Sequence, residues 1–128
     1  MAIVNIAVSK PSGSLVATPT VASSTTGSTV VWTLDAAIAG VFNATKPFEW
    51  YTDCGPPVGT CTAATISNAG RTLSMDFLAS TDLNLAYKLF VTLSNGKIAT
   101  TSYGPIGTVP VGAGNARLPP TSPKIKNQ

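Results

Sequence analysis

Tyr87-Lys88-Leu89-Phe90-Val91-Thr92-Leu93-Ser94-Asn95-Gly96-Lys97-Ile98-Ala99-Thr100-Thr101 carries the strongest structural signal in the chain. Successive side chains on a strand point to opposite faces, so Tyr87, Leu89, Val91 and Leu93 share one face and Lys88, Phe90 and Thr92 the other. Aromatic and β-branched residues suit a pleated, half-buried surface. Asn95-Gly96 is a strong hairpin signal, and it returns the chain through Lys97-Ile98-Ala99-Thr100-Thr101. A hairpin with one wholly apolar face needs a second layer to cover that face.

The segments upstream supply the second layer. Ile3-Val4-Asn5-Ile6-Ala7-Val8 alternates, with Val4, Ile6 and Val8 on one side. Pro11-Ser12-Gly13-Ser14 reads as a turn into Leu15-Val16-Ala17-Thr18, and Pro19 confines that run to an edge. Thr29-Val30-Val31-Trp32-Thr33-Leu34 turns Val30, Trp32 and Leu34 inward. Asp35-Ala36-Ala37-Ile38-Ala39-Gly40 predicts one helical turn, with Asp35 as N-cap and Gly40 just past the C-terminus. Val41-Phe42 and Pro47-Phe48-Glu49-Trp50-Tyr51 read as short strands. Asn68-Ala69-Gly70 turns the chain into Thr72-Leu73-Ser74-Met75-Asp76-Phe77, whose Leu73, Met75 and Phe77 share a face.

Short strands separated by turn residues predict an all-β fold, an antiparallel β-sandwich of about seven or eight strands. Trp32, Leu73, Phe77, Leu89 and Val91 are expected between its two sheets. Residues 1–104 form the sandwich. Residues 105–128 hold five Pro and three Gly among few large apolar groups, and read as an extended C-terminal arm.

Composition narrows the function. Charged residues make up 10% of the chain, against about 25% in ordinary soluble domains, and there is no histidine. A β-rich surface of Ser, Thr, Ala and Gly is poorly protected against association. Without histidine the commonest general base and the commonest transition-metal ligand are missing. No Gly-x-Ser-x-Gly or Ser-x-x-Lys motif offers a substitute nucleophile, so the expectation is a protein that is not an enzyme and uses no cofactor. The net charge of +3 is uneven. Lys10, Lys46, Arg71, Lys88 and Lys97 balance Asp35, Glu49, Asp53, Asp76 and Asp82, so the whole excess lies in Arg117, Lys124 and Lys126 of the arm. Three cations are fewer than the roughly six to ten phosphate contacts of a typical nucleic-acid binder, so a nucleic-acid partner is not expected. No run of 18 apolar residues supports a membrane span, and Met1-Ala2-Ile3-Val4-Asn5 does not read as a signal peptide, which leaves open one removed before this numbering begins.

Cys54-Gly-Pro-Pro-Val-Gly-Thr-Cys61 places two thiols at the ends of a turn-forming loop. A Cys54–Cys61 disulfide there stabilises by about 2–3 kcal/mol on the chain-entropy view and implies an oxidising setting, a virion or an extracellular surface. The alternative is a pair of reduced thiols in a cytoplasmic protein.

The order of these signals resembles the DP-EP family of small bacterial proteins. The resemblance rests on Val4-Asn5-Ile6-Ala7-Val8-Ser9-Lys10, Gly27 before Val30-Val31-Trp32-Thr33-Leu34, Asp82-Leu83-Asn84, Tyr87-Lys88-Leu89, Asn95-Gly96-Lys97 and the closing Ser122-Pro123-Lys124-Ile125-Lys126-Asn127. Ser122-Pro123 stands where the family has its terminal Asp-Pro. The resemblance implies a cupredoxin-like or immunoglobulin-like sandwich and no settled activity. A blue-copper site needs two His and a Cys, which excludes that use of the fold here.

Among candidate sites, Asp76, Asp82 and Asn84 are the best calcium ligands by type, but the carboxylates are too few and Asp82 and Asn84 fit loop capping better, so no metal is expected. Asn43-Ala44-Thr45 matches a glycosylation acceptor, a common chance pattern. Trp50 and Tyr51 point to opposite faces, and the outward one is a candidate contact for a subunit or a sugar. Val109, Val111, Leu118 and Ile125 are spaced along the arm as anchors, with Arg117, Lys124 and Lys126 as charged contacts to an acidic neighbour. These features predict a non-enzymatic structural protein that self-associates or coats a larger assembly, such as a phage capsid decoration or surface component. Its partners would be other protein subunits. The competing expectation is a small-ligand or carbohydrate-binding module.

Overall fold

The computed structural model describes residues 3–11, 13–18, 21–24, 26–50, 59–79, 83–101, 107–108, 117–118 and 123–127. The described residues are all β and contain no helix. Alternation explains the first sheet. In β1 (Ile3–Ser9), β4 (Thr29–Leu34) and β8 (Thr72–Asp76), the residues Ile6, Val8, Val30, Trp32, Leu34, Leu73 and Met75 are buried, and their neighbours in sequence face outward. With β2 (Val16–Thr18) and β7 (Thr65–Ser67), these strands form a five-stranded sheet of order β2-β1-β4-β8-β7.

The second sheet is organised by β9 (Leu83–Leu93), which carries the alternation from Tyr87 to Leu93. One edge of β9 pairs with β5 (Gly40–Phe42) and then with β6 (Phe48–Trp50). Between these two short strands, Asn43 N–H donates to the Phe90 carbonyl at 3.0 Å, and Phe90 N–H donates to the Pro47 carbonyl at 3.0 Å. On its other edge β9 pairs with β10 (Ile98–Thr100) and with β13 (Lys124–Asn127), and β13 in turn pairs with β3 (Val21–Ser24). A separate two-stranded ladder joins β11 (Gly107–Thr108) to β12 (Arg117–Leu118). The two larger sheets bury a shared core, the arrangement of a β-sandwich. Trp32 of the first sheet meets Phe48 and Tyr87 of the second, with ring centroids 5.3 and 5.4 Å apart. Trp32, Leu73, Phe77, Leu89 and Val91 are all buried, as the alternation predicts.

Three sequence expectations need correction. First, pairing is mixed rather than antiparallel throughout: β1 lies parallel to β4, and β13 parallel to β3. Parallel pairing requires the chain to cross between sheets, which no local pattern records. Secondly, residues 35–40 form no helical turn. Ile38 N–H donates to the Asp35 carbonyl at 2.9 Å, closing a tight turn, and the Asp35 carboxylate accepts from Ala37 N–H at 3.3 Å. Asp35 therefore caps a turn, through the same chemistry that would have capped a helix. Gly40 opens strand β5, and a Cβ there would lie 2.6 Å from the Thr92 carbonyl oxygen. Glycine is needed for close backbone approach, not for a helix end. Thirdly, the arm boundary at residue 104 does not hold for the last strand, because Pro123 is buried and Ile125 is fully buried among core side chains. One apolar residue between two lysines carries too little pattern to announce a core strand.

The Asn95-Gly96 hairpin forms, with a three-residue loop. Leu93 N–H donates to the Lys97 carbonyl at 2.8 Å, Gly96 N–H to the Leu93 carbonyl at 2.9 Å, and Gly96 takes φ +84°. This is a tight turn closed by a left-handed glycine.

Candidate interaction face

The outer face of the second sheet follows from the register of β9. Thr92 lies between Val41 of β5 and Ile98 of β10, so these three side chains form one row across the sheet. Two residues back along β9, Phe90 lies on the same face opposite Thr100. Val41 is 40% exposed and Ile98 56% exposed, while Phe90, Thr92 and Thr100 are half-buried. Asn43 donates from Nδ2 to Thr92 Oγ1 at 3.0 Å, and its Oδ1 accepts from the N–H groups of Thr45 and Lys46 at 3.0 and 2.8 Å. The Asn43 amide of the glycosylation-like tripeptide is thus engaged in shaping the turn between β5 and β6.

A basic rim borders the row. The ammonium groups of Lys46 and Lys88 stand 5.5 and 5.3 Å from the Phe90 ring centroid, within cation–π range. Lys46 also pairs with Glu49, three residues further along the chain. The face is therefore an aliphatic row, an aromatic ring and two cations held against it. Such a surface suits burial by another protein, because apolar area is removed from water while the ammonium groups remain at the rim.

The predicted site residues fall in several places. Trp50 pairs with Tyr87 and packs edge-on against Phe48 at 4.8 Å, partly buried on the core side of β6. The outward-facing aromatic predicted for this pair is therefore not Trp50. Tyr51, Val109 and Val111 lie outside the described residues, as do Cys54 and Asp82. Cys61 is a half-buried free thiol, bridged through its backbone to Phe77, and burial pushes its pKa up. Asp76 accepts a 2.6 Å hydrogen bond from Thr29 Oγ1, which ties β8 to β4. No metal-binding cluster occurs among the described residues. Arg117 and Leu118 stand in β12, paired with Thr108 and Gly107. Lys124, Ile125 and Lys126 stand in β13, so Ile125 is a core residue and not an anchor on a free arm.

Sequence reasoning missed Arg71. Its guanidinium donates to the carbonyls of Ile38, Gly40 and Asp35 at 2.6, 2.8 and 2.8 Å, which pins the 35–40 turn beneath the β7–β8 hairpin. No spacing rule reports an arginine that serves distant carbonyls. The buried Trp32–Tyr87 hydrogen bond, 3.0 Å from Nε1 to the phenol oxygen, leaves no trace in the pattern either.

No protein-family model matches this chain, and no curated protein matches it either.

Proposed function

We propose that this protein is a non-enzymatic structural subunit that associates with other protein subunits, either copies of itself or the shell of a larger assembly such as a capsid or cell surface. The observation that carries this reading is the outer row Val41–Thr92–Ile98 beside Phe90. It sets exposed aliphatic groups on a sheet whose chain is only 10% charged. Exposed apolar rows on a β-surface favour association unless charge opposes it. The resemblance to the DP-EP family supports an immunoglobulin-like or cupredoxin-like assignment of the sandwich, and we propose membership of that family on the same grounds. Cys61 is a free thiol in this structure; we further propose that it bridges to Cys54 in the mature protein, which would put the chain on a virion or extracellular surface.

The test is the mass of the natively isolated particle, followed by the same measurement on Ile98→Asp. The substitution would put a carboxylate in the middle of a buried contact and dissociate the assembly, while the exposure of position 98 spares the fold. A native particle with the mass of one chain, at all accessible concentrations and with no larger partner, overturns the reading.

A further inference from the structure

β10 and β13 occupy the same edge of β9, one after the other. Thr100 pairs with Phe90, and Thr101 N–H donates to the Leu89 carbonyl at 3.4 Å. Tyr87 N–H then donates to the Pro123 carbonyl at 3.2 Å, and Lys124 pairs with Ala86. The two strands are collinear halves of one line, separated in sequence by residues 102–122.

The seat of β13 is a two-sided slot. Lys124, Ile125, Lys126 and Asn127 pair antiparallel with Ala86, Leu85, Asn84 and Leu83, and parallel with Val21, Ala22, Ser23 and Ser24. Among the described residues, β3 joins the second sheet only through β13. Ile125 fills the core beneath the slot. Without this strand, both β9 and β3 would present unpaired backbone edges flanking an open apolar position. The site is incomplete until a segment of this sequence occupies it.

Which copy supplies the segment is a matter of tether length and concentration. From Thr101 to Pro123 the chain can extend to about 70 Å, and to about 40 Å with the β11–β12 ladder closed. That ladder has two residue pairs, and an isolated two-stranded unit of this size is marginal. Chain length alone therefore allows residues 123–127 to seat in a neighbouring molecule. The contacts made by β13 are the same in its own chain or in another, and seating it in another chain relieves the closure of its own loop. Exchange competes once neighbours reach the effective concentration at which a chain presents its own strand, on the order of millimolar for linked segments. Subunits packed side by side in the assembly proposed above would stand at that concentration.

We propose that β13 is an exchangeable strand, with residues 123–127 of one copy completing the β9–β3 slot of the next. This rests on the assembly reading above and names how the copies are joined. Because each chain would then both give and receive a strand, the contact can close as a pair or continue as a chain of subunits.

The experiment uses full-length chains in a Cys54→Ser, Cys61→Ser background. One copy carries Asn84→Cys and a second carries Lys126→Cys, positions that are register partners across β9 and β13. The two are mixed at millimolar concentration and treated with a short thiol–thiol crosslinker. We expect a covalent two-chain product with 84 joined to 126, at least tenfold above a control pairing Asn84→Cys with Lys97→Cys. A chain carrying both Asn84→Cys and Lys126→Cys, treated when dilute, must link internally, which reports that the slot forms. Internal linkage without any interchain 84–126 product overturns strand exchange. Light scattering on the same samples separates this from the broader reading. Multimers lacking the 84–126 link refute exchange and leave assembly standing, whereas single-chain mass throughout refutes both.

Discussion

Tyr87→Phe removes one oxygen atom from the centre of the molecule, and its effect can be worked out from the contacts around it. Tyr87 is fully buried, and its phenol oxygen accepts the Trp32 indole N–H at 3.0 Å. A phenylalanine keeps the ring contacts with Trp32 and Phe48, whose centroids both lie 5.4 Å away. What is lost is the acceptor, so a buried indole N–H is left without its partner. That costs about 1–3 kcal/mol. A second signature is independent of the first. Burial pushes the Tyr87 pKa well above that of a free phenol, so the folded protein holds this proton when the unfolded chain has released it. The native state then binds more protons than the unfolded state above pH about 10, and stability falls there by about 1.4 kcal/mol per pH unit from this group alone. Below that pH the contribution is fully present. Urea unfolding of the wild type and Tyr87→Phe at pH 7 and at several values between about pH 9.5 and 11 spans the free-phenol pKa and reads both effects. The wild type should be the more stable at pH 7, and the difference should shrink as pH rises. A variant equal in stability at pH 7, with a parallel alkaline decline, would refute the claim that this phenol is a buried acceptor.

Four further outcomes concern a turn, the last strand, the arginine beneath the β7–β8 hairpin and the thiols. Ala69 sits at φ +56° in the β7–β8 turn, next to Asn68 at φ +57°, so Ala69→Gly should raise stability by about 0.5–1 kcal/mol in denaturant melts. Ile125→Ala should cost about 2–5 kcal/mol, because the side chain is part of the core; a loss near zero would return residues 123–127 to a free arm. Arg71→Met removes three guanidinium–carbonyl bonds and should cost about 2 kcal/mol, with faster amide exchange concentrated at Ile38 to Phe42. Intact mass of the natively isolated protein should be two hydrogens lighter than after reduction; two freely alkylated thiols without reductant would overturn the Cys54–Cys61 bridge.

The β character of the chain, the inward faces of β1, β4, β8 and β9, and the places where the main hairpins turn are all legible in the sequence, because each is a local property. A period of two places Trp32, Leu73, Leu89 and Val91 on apolar faces whatever those faces later meet. Asn95-Gly96 and Asn68-Ala69-Gly70 mark turns through their own backbone freedom. The outward position of Phe90 was legible for the same reason, so part of the candidate face could be read in advance. Its extent could not, because Val41 and Ile98 become neighbours only through their separate pairings with Thr92. The parallel pairings, the reach of Arg71 to three carbonyls and the place of Ile125 emerge only in three dimensions. Each depends on which strand lies beside which, and that is set by the burial of the whole core. Lys124-Ile125-Lys126 shows the limit: its single apolar residue is too little to nucleate a strand, yet enough to complete one when β9 and β3 present two open edges and a hole beneath them.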